Sequence, residues 1–264
     1  MSLINIAQDY KQYEKSSIMK TLAAHAHGKN YIGQTSSATF EEVCELIQKL
    51  GLPPKARILD AGCGNGAFAL LLAQKFGFQV TGIDLSEDII KIAQRQTYEF
   101  NLNDLCHFFV GDFSDFVTSQ PFDLILCIGS LYWNQPLAQT FQRWHQALNN
   151  PGWLVLFLNL AEEVLTLEET KAIDQTSFIL IETIKHELTS ANFKLMEWRD
   201  QTKVYSHWLE KWCHSMSLNQ ETIFQEMGQE KGSKMIHRFY HYLQLARSQK
   251  VKRIITLNKK NKNL

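Results

Sequence analysis

The sequence predicts a doubly wound α/β fold: a mostly parallel seven-stranded sheet with an antiparallel last strand, N-terminal helices and a helical cap insertion. Three observations carry this reading. From Ala56 onward, short apolar runs at Ile58 to Ala61, Val80 to Ile83, Phe108 to Val110, Leu124 to Ile128 and Trp153 to Leu158 alternate with segments of helical period. Alternating strand and helix is the pattern of a parallel sheet covered on both faces. The first run passes directly into three glycines and an apolar-periodic helix. Finally, two later strand candidates, Phe193 to Trp198 and Val251 to Leu257, flank a long helical stretch, roughly Ser206 to Arg247. If those two strands pair as a hairpin, the stretch between them stands over one end of the sheet.

Taken in order, the first fifty residues are polar and helix-prone, with a loop at Gly28 to Gln34 (GKNYIGQ). An amphipathic run follows, ATFEEVCELIQKLG, and stops at Gly51 and Pro53. Phe40, Val43, Leu46, Ile47 and Leu50 recur at helical spacing, so they form a face packed on the domain that follows. After the fifth strand come an acidic stretch, AEEVLTLEETKAIDQ, a helical pattern at Ile179 to Leu188, and the sixth strand. The closing KKNKNL reads as a solvated end. The expected units are an N-terminal helical cap at 1–52, the sheet core at 53–203, a helical insertion at 204–249, and the last strand with its tail at 250–264.

Composition narrows the function classes. Lys plus Arg and Asp plus Glu both number 27, which gives no general attraction to nucleic acid or an anionic membrane. The five cysteines, Cys44, Cys63, Cys106, Cys127 and Cys213, are scattered and form no C-x-x-C pair. A reducing compartment fits that usage. The N-terminal MSLINIAQDYKQYEKSS is broken by charges and resembles neither a signal peptide nor a membrane anchor, so the expectation is a cytoplasmic protein.

The strongest local signal is ILDAGCGNGAFALLLAQKFG, Ile58 to Gly77. An apolar strand ends at Asp60, and Gly62, Gly64 and Gly66 follow before the helix begins. Glycines here let the backbone turn sharply and approach a ligand, while the helix N-terminus offers unpaired N–H groups. The second signal is VTGIDLS, Val80 to Ser86, whose acid stands eighteen residues beyond Gly66. A carboxylate there can accept both hydroxyls of a ribose. Gly62, Gly64 and Ala67 also satisfy the G-x-G-x-x-A form of a dinucleotide turn. About fifty residues of helix-prone chain precede this turn, however, and Asp60 stands two positions ahead of its first glycine. These features point towards methyl transfer.

From Ile58 to Phe157 the chain resembles the class I S-adenosylmethionine-dependent methyltransferases, which have a Rossmann-like fold. LDAGCGNG looks like the family's first motif, GIDLS its ribose acid, and VGDF the turn beside the adenine. FDLILCIGSLYW resembles the fourth-strand motif, and LNNPGWLVLF the turn into the fifth strand, where many members have Lys-Pro-Gly-Gly. The resemblance implies that Asp60 and the backbone of Gly62 and Gly64 hold the methionine end of S-adenosylmethionine. It implies further that Asp84 binds the ribose, Leu85 covers the adenine, and Asp112 accepts the adenine amino group with Phe113 alongside. Cys127 and Ile128 would pass under the sulfonium, and Tyr31 looks like a tyrosine that related small-molecule enzymes place near the cofactor carboxylate. The nearest resemblance is to quinone-pathway-like and amine-directed enzymes with a helical insertion. Plainer readings stand beside these: the glycines as a structural turn, Asp84 and Asp112 as helix caps, and Tyr31 as a packed loop residue.

The implied reaction transfers a methyl group to a small organic acceptor by in-line displacement. Orientation alone lowers such barriers by about 7 to 11 kcal/mol. No metal is required, and the sequence has no H-E-x-x-H helix. Candidate bases are His25, His27, Tyr132 and His207, with none preferred and no catalytic residue assigned. The acceptor pocket is expected to use Tyr132 and Trp133 after the fourth strand and Trp208 and Trp212 of the insertion. Trp208, Leu209 and Trp212 share one helical face, which suits either a lid or plain core packing. The alternatives are a cofactor-binding member of the fold without turnover, and a nicotinamide-dependent oxidoreductase, for which no Tyr-x-x-x-Lys pair is evident. Oligomeric state is not fixed by these features.

Overall fold

A computed structural model describes residues 16–131, 136–173 and 178–261. The chain begins with α1 (Ser17–His27), capped by the Ser16 hydroxyl, which accepts a hydrogen bond from the Met19 N–H. A turn of 3-10 helix leads on to α2 (Phe40–Leu50). Thr39 and Glu42 form a reciprocal capping box at its start, and Gly51, at φ +59, ends it in the left-handed conformation. Then follow β1 (Arg57–Ala61), α3 (Ala67–Phe76), β2 (Gln79–Asp84), α4 (Glu87–Glu99), β3 (Cys106–Val110) and β4 (Phe122–Ile128). The second half contains α5 (Leu137–Ala147), β5 (Leu148–Ala161), α6 (Leu167–Ala172), β6 (Ile179–Leu180), α7 (Ile181–Ser190) and β7 (Phe193–Asp200). The helices α8 (Thr202–Leu218), α9 (Gln220–Met227) and α10 (Gln229–Arg247) lead to β8 (Val251–Lys260).

The sheet runs in the order β3-β2-β1-β4-β5-β8-β7. Pairing is parallel from β3 through β5, and β8 lies antiparallel between β5 and β7. The seven expected strands are joined by an eighth, the two-residue β6, which pairs with the end of β5. Its Ile179 and Leu180 head what periodicity alone reads as helix, because a short apolar run does not distinguish the two.

Side-chain alternation explains the apolar runs. Ile58, Leu124, Val155 and Phe157 enter the core beneath α2 and α3, while Leu59, Ile125, Leu154 and Leu156 enter the opposite core beneath α5 and α7. With both faces covered, the central strands β1, β4 and β5 carry apolar residues on both sides. Removing one such leucine to alanine costs about 2 to 5 kcal/mol, so the register of the central strands is strongly specified.

A third core lies outside the sheet. Met19, Leu22 and Ala26 of α1 pack with Tyr205, Leu209, Trp212 and Met216 of α8 and with Met235 and Leu243 of α10. The hydroxyls of Ser16 and Ser17 donate to Glu226 of α9, fastening the start of α1 to the same layer. The N-terminal segment is therefore divided: α1 belongs to the helical layer, and α2 to the sheet. The long helical stretch read from the sequence is three helices, interrupted at Asn219 and at Gly228, whose φ is +82. No helix among the described residues is long and apolar enough to cross a membrane.

Candidate functional site

The carboxyl ends of β1 and β2 are joined by the glycine turn. Gly62 and Cys63 both donate their N–H groups to the Ile83 carbonyl, at 2.8 and 3.0 Å. Gly62 has φ +77, and a Cβ placed on it would meet Ser130 Cβ and Oγ at 2.3 Å. The Ser130 hydroxyl donates to the Gly62 carbonyl at 3.1 Å, so the turn is packed against the loop leaving β4. Sequence reading missed Ser130; its position just after the fourth-strand motif is the signal that could have found it.

Asp84 closes this turn. One carboxylate oxygen accepts the Gly64 N–H and the other the Ser86 N–H, each at 3.0 Å. Asp84 does not occupy the N-cap position of α4; Ser86 does, without a side-chain capping hydrogen bond. Burial raises the Asp84 carboxyl above its ordinary value, against the lowering effect of these backbone hydrogen bonds. The Gly64 amide is consequently engaged with Asp84 within the protein.

Asp60 is different. It is 2% exposed, and no described residue donates a hydrogen bond to its carboxylate. Burial, and then the charge of Asp84, push its carboxyl up to about 7. A buried carboxylate without a donor is costly, and a cation or a set of N–H donors brought beside it removes that cost.

The other expected cofactor residues lie at or just after the ends of β2, β3 and β4 and on the N-terminal loop. Leu85 is 40% exposed and presents an apolar side chain beyond Asp84. Asp112 accepts the Ser114 N–H at 2.8 Å in a local turn. Phe113 is buried against Trp144, with ring centres 5.6 Å apart, and its carbonyl accepts the Trp144 indole N–H at 3.3 Å. Cys127 is fully buried within β4, where desolvation pushes its thiol far above the ordinary range, while Ile128 reaches a cavity wall. Tyr31, stacked on His27 at 6.3 Å, belongs to a loop held to the glycine turn by the Asn65 side-chain amide, which donates to the Gly33 carbonyl at 2.7 Å. Asn65 was not singled out from the sequence, although it lies inside the glycine motif.

A cavity of about 290 Å³ lies between the sheet and the helical layer. Ile128, Gly129 and Leu131 at the end of β4 form one side, with Ser36 and Ala38 of the N-terminal segment nearby. Tyr205 and Trp208 of α8, and Phe239 and Tyr242 of α10, form the aromatic side. Trp212 is one layer back: fully buried, it stacks on Trp208 at 4.9 Å and packs on Phe239 at 5.3 Å, but does not line the cavity. Tyr132 and Trp133 lie outside the described residues.

The histidines diverge. His27 Nε2 has the Trp208 indole N–H at 3.1 Å and the Ser36 carbonyl at 3.0 Å, and burial, the largest influence, lowers His27 to about 4. His25, exposed on α1, pairs with Ser215 of α8, and His207 faces Glu210 at the surface. At the floor, Arg253 of β8 is 2% exposed and lines the cavity, with Nη1 and Nη2 donating to the two carboxylate oxygens of Glu42 at 2.9 and 3.1 Å. Neither member of this pair was anticipated from the sequence. Among the described residues, no group of three or more His, Cys, Asp or Glu side chains is arranged to hold a metal.

Comparison with known proteins gives the site its context. Residues 58–152 match the family described as a methyltransferase domain. Phosphoethanolamine N-methyltransferase 1 of Zea mays is 26% identical over 84% of this chain, which spans 44% of that relative's length. The cyclopropane synthase MmaA2 of Mycobacterium tuberculosis superposes with a TM-score of 0.79 at 19% identity, covering 96% of this chain and 98% of that one. Phosphoethanolamine N-methyltransferase 2 of Haemonchus contortus, solved with phosphomonomethylethanolamine and S-adenosylhomocysteine, gives 0.78 at 17% identity, covering 97% of this chain and 60% of that one. Over residues 58–152 the chain thus matches a methyltransferase domain, and over nearly its whole length it shares the fold of these solved structures.

Proposed function

We propose that this protein transfers a methyl group from S-adenosylmethionine to a small organic acceptor held in the cavity beside the end of β4. The observation that carries the proposal is Asp60, a buried carboxylate without a donor among the described residues, at the end of β1. The cationic amino group of the cofactor's methionine end fits that need. Asp84 is held by the Gly64 and Ser86 amides in an orientation suited to the ribose hydroxyls, and exposed Leu85 offers a face to the adenine. Asp112 and Phe113 stand at the adenine end, Cys127 and Ile128 beneath the reacting centre, and Tyr31 on the loop tied to the glycine turn.

When bound, S-adenosylmethionine supplies an already activated methyl group on a sulfonium. The protein's task is then to orient the acceptor atom and exclude water. Ile128, Gly129 and Leu131 line the near side of the acceptor cavity, and Trp208 its far wall, backed by Trp212. Tyr132 and Trp133 belong to the same proposal as residues that follow β4. His27, held neutral by burial between Trp208 and the Ser36 carbonyl, steadies that wall and is not assigned as a base. The relatives named for phosphoethanolamine favour a small-molecule acceptor over nucleic acid. Five unpaired, buried cysteines support a reducing compartment, the cytoplasm.

Titration with S-adenosylhomocysteine by calorimetry, followed by incubation with methyl-labelled cofactor and a metabolite extract, tests this reading. Binding followed by label in a small molecule, undiminished by EDTA, is expected. No binding removes the cofactor assignment, and binding without transfer leaves a cofactor-binding protein without turnover.

A further inference from the structure

The cavity floor carries a buried cation that Glu42 only partly occupies. An arginine side chain presents five N–H groups in a planar fork. Two of them point along the Nη1 and Nη2 bonds to Glu42. No other described residue accepts from the Arg253 guanidinium, although the side chain is almost wholly removed from solvent and forms part of the cavity wall. The Glu42 end-on contact leaves the Nε edge of the fork, which has the geometry that takes an oxyanion in two parallel hydrogen bonds.

Resting on the proposed methyl transfer, we propose that the acceptor carries an oxyanion, a carboxylate or a phosphate, and that Arg253 receives it. The sheet sets the acceptor's dimensions. Arg253 stands opposite Asn159 of β5, and β5 pairs with β4, so β8 is two strands from β4. At about 4.8 Å per strand that is on the order of 10 Å between the Arg253 row and the strand whose end meets the reacting centre. The oxyanion and the methylated atom are thus separated by a short organic body. Tyr205, Trp208, Phe239 and Tyr242 supply aromatic faces for that body, and the volume of about 290 Å³ restricts it to a small molecule. Glu42 serves as the counter-charge that offsets burial of the guanidinium when the cavity is empty. It receives the Thr39 N–H at 2.9 Å as well, which fixes the angle at which Arg253 is presented.

The test uses three probes of one shape class on the full chain in the presence of S-adenosylhomocysteine: phenylacetate, phenyl phosphate and the neutral phenylacetamide. Binding is read by ligand-observed NMR competition or calorimetry. Phenylacetate, phenyl phosphate or both should bind at least about tenfold more tightly than the amide, and which anion leads identifies carboxylate or phosphate as the natural group. The variant Glu42→Gln/Arg253→Gln removes both charges without stranding either, and should erase the preference while amide affinity stays within about twofold. Its unfolding temperature and its affinity for S-adenosylhomocysteine report whether the fold is kept. Single Arg253→Lys keeps the charge but not the fork, and should retain only part of the preference. Equal binding of acid and amide, no measurable binding of either anion, or a preference that survives in the double variant overturns the proposal. S-adenosylhomocysteine binding is measured separately, so a failed cofactor assignment is told apart from a failed anion assignment.

Discussion

Replacing Asp60 with Asn should make the ligand-free protein more stable and the cofactor site useless, and the first effect should grow with pH. The folded carboxyl is pushed from the ordinary 3.8 up to about 7. A carboxyl whose folded value is raised binds its proton more tightly in the native state, so stability is fullest at low pH and falls as pH rises from about 4 through 7. At 1.36 kcal/mol per pH unit, the raised carboxyl costs the fold about 4 kcal/mol at pH 8, where it is ionised, and about 2 kcal/mol at pH 5, where folding requires it to take up a proton. Asn carries its own buried-amide cost, but that cost is the same at both pH values. The gain from Asp60→Asn should therefore be larger at pH 8 than at pH 5 by about 2 to 3 kcal/mol. For a chain of this size that corresponds to roughly 4 to 12 °C in unfolding temperature. Thermal unfolding followed by circular dichroism at the two pH values, with and without S-adenosylhomocysteine, reads both effects. The wild type should be stabilised by the ligand, and the variant scarcely at all. A variant whose stability relative to wild type is the same at pH 5 and pH 8, or one that gains as much from the ligand as wild type does, would refute the reasoning about Asp60.

The neighbouring assignments separate by similar measurements. Asp84→Ala removes the acceptor for the Gly64 and Ser86 amides as well as the proposed ribose contact. Affinity for S-adenosylhomocysteine should fall at least about tenfold and the unfolding temperature should drop, with Asp84→Asn milder on both; unchanged affinity in a titration sinks the ribose role. Trp212→Ala should destabilise by about 3 to 5 kcal/mol in chemical denaturation because it empties a fully buried site. Trp208→Ala should instead act chiefly on acceptor KM, and identical behaviour of the two variants would contradict their different placement. His27, lowered from 6.5 to about 4, contributes stability that is present above pH 6.5 and lost as pH falls towards 4, worth about 3 kcal/mol across that window. His27→Gln should flatten that part of the stability profile, and an unchanged profile would show that His27 is not the group titrating there.

The sheet was legible because its constraints are local. Strands buried on both faces read as unbroken apolar runs, and the helical spacing of Phe40, Val43, Leu46, Ile47 and Leu50 marks α2. The capping of α4 was less legible: two residues apart, Asp84 and Ser86 both carry suitable side chains, and only the positions of Gly64 and the helix N-terminus show that Asp84 braces the glycine turn. The helical layer was read as one long element because Asn219 and Gly228 are weak interruptions in an otherwise helical pattern. Its partnership with α1 is a contact between segments almost two hundred residues apart, which periodicity does not encode.

The same distinction divides the site. Its proposed cofactor side is drawn from consecutive strand ends between residues 60 and 128, so ordered motifs expose it. The proposed acceptor side joins Ser36, Glu42, Trp208, Tyr242 and Arg253, and these meet only through the insertion of β8 between β5 and β7. In the sequence, Arg253 belongs to a basic run, KVKRIITLNKKNK, that reads as a solvated edge strand and tail. In the sheet it is an inner-strand residue on the same face as Ile255 and Leu257, beneath α2. A slip of one residue in the pairing of β8 with β5 would bring Ile254 to this place and send the guanidinium to the opposite core. Glu42 opposes that slip, since the slipped strand would leave its carboxylate buried without the arginine. The ion pair thus helps select the register that puts a cation in the cavity, and the same pairing that specifies the strand's position is the one that orients Arg253 towards an acceptor.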